Sequence, residues 1–133
     1  MKLATLIIEK LKQCSIYREE KNEETGEITS NVVLFSDVDV FPATPYVVVK
    51  PEVGVRDKTR SYRIIVHMEK GQLNELEDFV LTELDSLLLN VCLNDEDGGR
   101  YKLFANGYTD VTSEKIDNTY FMERIYYTPM TIR

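Results

Sequence analysis

The sequence predicts an α+β fold: a small antiparallel or mixed sheet of two strand pairs, covered by one long amphipathic helix, with a second helix at the N-terminus. Three observations predict it. Within residues 71–91, Leu73, Leu76, Val80, Leu84, Leu87, Leu88 and Val91 fall inside an arc of about 120° at 3.6 residues per turn. Before that stretch, residues 61–68 alternate with period two. After it, residues 119–128 are rich in aromatic and β-branched side chains. A helix with one apolar stripe needs a sheet face on which to bury it.

The elements follow in chain order. Residues 1–15 read as a helix, with Leu3, Leu6, Ile7, Leu11 and Cys14 on one face and Lys10 snorkelling from that face. Residues 16–44 read as a variable acidic loop with short strands. Glu19, Glu20, Glu23, Glu24 and Glu27 crowd it, and Thr25-Gly26 marks a turn. Residues 32–35 and 38–41 suit short edge strands, and Pro42 and Pro45 bracket a bend. Residues 45–128 form a ββαββ core. Its first strand, residues 46–50, holds three consecutive valines, which predicts cover on both faces, and Pro51 is expected to end its pairing. A charged hairpin loop at 54–59 leads to the second strand, where Tyr62, Ile64, Val66 and Met68 point toward the helix and Arg63, Ile65 and His67 away from it. Gly71 is the expected N-cap of the long helix. Asn106-Gly107 signals a hairpin turn, or else residues 103–112 form one bent strand. The last strand sets Tyr120, Met122, Arg124 and Tyr126 against Phe121, Glu123, Ile125 and Tyr127. Neither face is cleanly apolar, as expected of a strand with protein on both sides. The whole chain, 1–133, reads as a single domain.

Composition narrows function. A hydrophobic content of 43% suits a folded domain, and no apolar run approaches the ~20 residues of a membrane span. With 23 acidic against 16 basic residues the chain carries a net charge of −7, which opposes a grip on phosphates or anionic lipid. Cys14 and Cys92 lie far apart with no CxxC pair, so two buried free thiols are expected.

The sequence nominates no reaction. His67 is the one histidine, and no nucleophile motif, metal-binding pair or glycine-rich phosphate loop accompanies it. The run Asn94 to Gly99 fails as a calcium loop. Placing Gly98 at its sixth position puts Leu93 first and Phe104 twelfth, and placing Gly99 there puts Ala105 last. The eight tyrosines lack an interleaved basic patch and read as packing residues. The expectation is therefore a non-enzyme with no catalytic residue, cofactor, metal or small-molecule substrate. The candidates for function are contact residues. Phe79 and Leu89 lie outside the helix stripe, Phe121 and Ile125 lie on the last strand, and Arg56, Asp57 and Lys58 lie in the charged loop.

The order helix, acidic loop, strand pair, long helix, strand pair is carried by particular residues. They are Pro-Tyr-Val-Val-Val at 45–49, Arg-Ser-Tyr-Arg-Ile-Ile-Val-His-Met at 60–68, Gly-x-Leu-x-x-Leu at 71–76, and the closing Ile-Tyr-Tyr at 125–127. Together they resemble the small tail-completion, or tail-terminator, proteins of tailed bacteriophages and prophages. The resemblance spans residues 1–128 and rests on element order and texture. It implies a non-enzymatic virion-assembly protein that forms a homo-oligomeric ring, commonly a hexamer. Such a ring caps the tail tube and joins it to the head connector, with DNA passing through the lumen in weak contact. It also implies the bacterial cytoplasm during assembly and the virion neck afterwards. Head-to-tail contacts close into a ring when their rotation allows. The alternatives are another connector or baseplate component, or a small cytosolic dimeric binding or regulatory domain.

Overall fold

Two helices and a mixed sheet share one core. The computed structural model describes residues 2–53, 59–108, 112–114 and 119–129. The elements are α1 (Lys2–Leu11), β1 (Glu19–Lys21), β2 (Ile28–Ser30), β3 (Val32–Leu34), β4 (Tyr46–Val53), β5 (Thr59–Glu69), α2 (residues 73–88), β6 (Cys92–Asn94), β7 (Arg100–Lys102), β8 (Phe104–Tyr108), β9 (Thr112–Glu114) and β10 (Thr119–Pro129). The main sheet runs β3-β4-β5-β10-β8, with β9 also pairing β10. β1-β2 and β6-β7 form two further two-stranded sheets.

The predicted α+β plan of two strand pairs under one long helix is therefore wrong. Among the described residues the fold is mostly β, with three sheets, one 16-residue helix and a short N-terminal helix. The extra strands are three-residue pieces; β3 falls in the 32–35 run expected as an edge strand, the expected strand at 38–41 is not formed, and the others are too short for alternation to announce them. Glu19–Lys21 and Ile28–Ser30 turn the acidic region into a hairpin. β3 pairs parallel to β4 at its edge, Val32 opposite Val47 and Leu34 opposite Val49. Beyond Val49, β4 has no partner on that side among the described residues, so Pro51 sits at an edge, where proline is tolerated. Pairing with β5 continues through Pro51 to Val53 instead of stopping there. Asn106-Gly107 lies inside β8. It is not a hairpin turn, and the register shift opposite, between Arg124 and Tyr126, marks an irregularity of the ladder there; the alternative of one bent strand over 103–112 runs through residues 109–111, outside the described residues.

The core lies between the helices and one face of the main sheet. α1 supplies Leu3, Ala4, Ile7 and Leu11; β4 supplies Val47 and Val49; β5 supplies Tyr62, Ile64, Val66 and Met68. The β5 residues expected to meet the helix do so. α2 supplies Leu76, Phe79, Val80, Leu84 and Leu88. Its register has a physical reason. Four-residue steps drift by ~40° per turn in a regular α-helix. Residues Phe79–Glu83 form a π turn, closed by the Leu84 N–H donating to the Phe79 carbonyl. That wider turn lowers the rotation per residue and absorbs the drift. Leu76, Val80, Leu84 and Leu88 thus stay on the sheet, and Phe79 turns inward to 3% exposure. The expected exposure of Phe79 is corrected accordingly. Leu73, by contrast, is exposed at the helix start. The helix stops at Leu88, before Val91. Leu89 is extended, and Asn90 takes a positive φ of 58° and donates its N–H to the Leu103 carbonyl at 2.9 Å. Gln72, not Gly71, precedes its first α turn.

Two polar groups fasten this core. Arg124 points from β10 into the helix face and is 5% exposed. Its Nε and Nη2 donate to Asp85 Oδ1 and Oδ2 at 3.1 and 3.0 Å, and Tyr126 OH donates to Oδ1 at 2.6 Å. This two-pronged pair explains why the last strand has no clean apolar face. Asn31, also buried, accepts from Arg18 N–H at 2.8 Å and donates to the Ile16 and Pro45 carbonyls at 2.7 and 3.0 Å. It ties the base of the acidic hairpin to the start of β4. Cys14 is buried, and burial pushes its thiol pKa up, whereas Cys92 is exposed on β6, contrary to the expected pair of buried thiols.

Candidate functional site

The alternation that sends Tyr62, Ile64 and Val66 to the helices sends every second residue of β4, β5 and β10 to the opposite face. Tyr46, Val48, Lys50 and Glu52 line up there with Arg63, Ile65 and His67, and with Phe121, Glu123, Ile125 and Tyr127. No helix among the described residues packs on this side, since both contribute to the other core.

Half of the face is covered by the chain itself. After β3, residues 35–44 fold back over β4. Phe41 stacks on Tyr46 at 5.4 Å between ring centroids, and Phe35 lies 6.5 Å from Phe41. Lys50 Nζ sits 4.9 Å above the Phe35 ring. Beneath them Val48 is fully buried. The three valines of β4 are thus covered on both faces, as their run implied. The stack continues across strands, from Tyr46 to His67 at 4.5 Å and from His67 to Phe121 at 5.3 Å. Four rings in sequence therefore cross β4, β5 and β10.

The other half, over β5, β10 and β8, is not covered by any element among the described residues. Ile65, Ile125, Phe121, Tyr127 and Phe104 are each only partly buried there. Phe104 and Tyr127 pack ring to ring at 5.8 Å. The charges in the middle of the face are matched. Arg63 Nη1 meets Glu123 Oε2 at 2.5 Å and its Nε meets Glu52 Oε1 at 3.3 Å. Burial works to lower the Arg63 pKa, and the two carboxylates outweigh it and hold the guanidinium above its ordinary value. Lys50 and Arg63 thus stand against Glu52 and Glu123, with Glu69 at the rim.

A second concavity, of about 550 Å³, lies beside the π turn and is lined by Ser15, Ile16, Pro45, Met68, Phe79 and Glu83 among others. Glu83 already accepts from Ser15 N–H and Oγ at 2.5 and 2.6 Å, which fastens the end of α1 to α2. Among the described residues there is no group of three or more His, Cys, Asp or Glu able to hold a metal ion. The acidic turn at 95–99 is held by its own side chain: Asp95 Oδ1 accepts from the Asp97 and Gly99 N–H groups at 2.9 and 2.6 Å, and Tyr101 OH donates to Oδ2 at 3.1 Å.

The contact residues chosen from sequence separate. Phe121 and Ile125 lie on the open face. Phe79 lies in the core, and Leu89 lies beyond the helix, bridged to Leu103. Arg56, Asp57 and Lys58 lie outside the described residues. Ile65 and Tyr127 also lie on the open face and were not among the candidates, although the period-two pattern already placed them on the same faces as His67 and Ile125. The aromatic stack was not legible, because Phe41 reaches Tyr46 only through the fold-back of residues 35–44.

No helix among the described residues is long and apolar enough to cross a membrane. In comparisons with known proteins, no family model matches the chain, and no curated protein or solved structure matches it.

Proposed function

We propose that this chain is a non-enzymatic structural subunit that works as a homo-oligomer, with the uncovered half of the sheet face as its contact surface. One observation carries the reading. On a chain of net charge −7, this half face is apolar and its central charges are internally matched. Two copies repel each other over most of their surface, and an apolar, charge-matched patch is where they approach at least cost. In this reading the assembly is the ring suggested by the resemblance to tail-completion proteins. It caps a tail tube, joins it to a head connector and lets DNA pass through an acidic lumen.

Sedimentation of the purified chain, with negative-stain images of any large species, tests this reading. The expected result is a closed ring near six times the 15.4 kDa chain mass. A stable dimer at every concentration contradicts the ring and favours a small binding or regulatory domain.

A further inference from the structure

The concavity beside the π turn is acidic, and the most basic stretch of the chain lies at the far end of the β4–β5 hairpin. We propose that this groove receives the Arg56–Lys58 loop of the next copy. The inference rests on the homo-oligomer proposed above: the half face supplies apolar area, and this second contact supplies direction.

The groove has an apolar floor and an acidic rim. Ile16, Pro45 and Met68 form the floor, Glu75, Asp78 and Glu83 form the rim, and no Lys, Arg or His is among the residues that line it. Glu83 is held in place by the Ser15 N–H and Oγ that donate to it. Glu75 and Asp78 make no ion pair among the described residues. The three carboxylates follow one another along about 12 Å of α2, at ~1.5 Å per residue. A groove of about 550 Å³ with this lining suits long side chains that combine an aliphatic stem with a positive head.

The chain itself carries such side chains. Against a net charge of −7, Arg56, Lys58 and Arg60 put three bases within five residues, with Asp57 as the single acid among them. On an extended backbone Arg56 and Lys58 stand about 7 Å apart on one side, with Asp57 on the other. That spacing lets both heads reach carboxylates of the row while their stems lie on the floor.

The loop cannot fill the groove of its own chain. β4 and β5 pair from Tyr46–His67 to Val53–Arg60, a distance of about 24 Å at ~3.4 Å per residue. Pro45 and Met68 place the groove at the first end. Residues 54–58 join the strands at the other end, and a connection of that length reaches about 10 Å out and back. A loop and a groove at opposite ends of one hairpin make a heterologous contact, which closes into a ring when its rotation allows.

Charge exchange tests the pairing. A loop variant carries Arg56→Glu and Lys58→Glu, and a groove variant carries Glu75→Lys and Asp78→Lys. Each alone should lose about tenfold in oligomer fraction at unchanged circular dichroism. Their equimolar mixture should sediment at wild-type mass, because in an alternating assembly each loop meets a groove of opposite charge. A mixture that stays dissociated contradicts the pairing, as does either variant assembling like wild type. A groove variant that assembles more tightly than wild type would show that net charge alone governs association, and it overturns the proposal too. Glu75→Gln with Asp78→Asn spares the start of α2 a reversed charge and should still weaken the oligomer about threefold. An unchanged oligomer fraction in that variant overturns the contact. Each of these failures, in a chain whose wild type is an oligomer, leaves the subunit reading intact. A wild type that is monomeric at every concentration overturns both.

Discussion

The two faces of the main sheet are built from the same strands by opposite rules. The face under the helices is dry and filled by apolar side chains, mostly aliphatic with Tyr62, Phe79 and Tyr126 among them, and Arg124 is met there by Asp85 and Tyr126. The other face uses rings and ion pairs, and the described residues cover its β3–β4 half only. In the proposed reading, one face sets stability and the other sets association. Substitutions on the first should move the unfolding transition, and substitutions on the second should move the oligomer.

The largest effect should come from a charge in the helix stripe. Leu84→Asp is expected to cost about 4 kcal/mol or more and leave little folded chain. Phe79→Glu should do the same, because the π turn puts that ring in the core. Soluble, helical Phe79→Glu protein that fails only to assemble would return Phe79 to the contact surface and break the division between faces.

Next comes the polar fastening. Asp85→Ala removes the carboxylate that meets both the buried Arg124 guanidinium and the Tyr126 hydroxyl, so a loss of about 3 kcal/mol is expected in urea unfolding. A loss below about 1 kcal/mol would mean that water reaches the pair and the helix face is less dry than its packing implies.

A smaller effect should appear at alkaline pH. Burial, and then the hydrogen bond to the Asp85 carboxylate, push the Tyr126 hydroxyl above its ordinary 10.0. The folded chain keeps that proton where the unfolded chain releases it. The stabilisation is therefore complete below about pH 10 and is lost above it, at about 1.4 kcal/mol per pH unit. Tyr62, raised by burial, acts in the same direction. Urea midpoints of wild type and Tyr126→Phe between about pH 9 and about pH 11 check this. The slope should be shallower in the variant, and equal slopes would remove Tyr126 from the account.

The smallest effect on stability should come from the uncovered half face. Ile125→Glu is expected to shift folding by within about 1 kcal/mol, since the side chain is only partly buried.

How much of this was legible in the sequence follows from the length of each signal. β5 was readable because residues 61–68 alternate, and the start of β4 because residues 46–49 are apolar throughout, whereas its continuation through Pro51 to Val53 was not. The existence of α2 was readable from its leucines, but its π turn was not, because a period of 3.6 cannot reveal one widened turn. That single turn moved Phe79 from candidate contact to core. The three-residue strands left no period at all, so a fold that is mostly β was read as a helix over two strand pairs. On the candidate surface, Phe121 and Ile125 were found from the unclean faces of β10, and Ile65 was placed on the correct side. The fold-back of residues 35–44 depends on Asn31 and Arg18, whose side chains bind carbonyls more than ten residues away, and local patterns carry no trace of such contacts.

The most direct test of the division between faces is the mass of wild type and Ile125→Glu by light scattering over the same concentrations. An oligomer in wild type and a folded monomer in Ile125→Glu is the predicted result. An Ile125→Glu oligomer of wild-type mass would contradict the claim that this face makes the assembly.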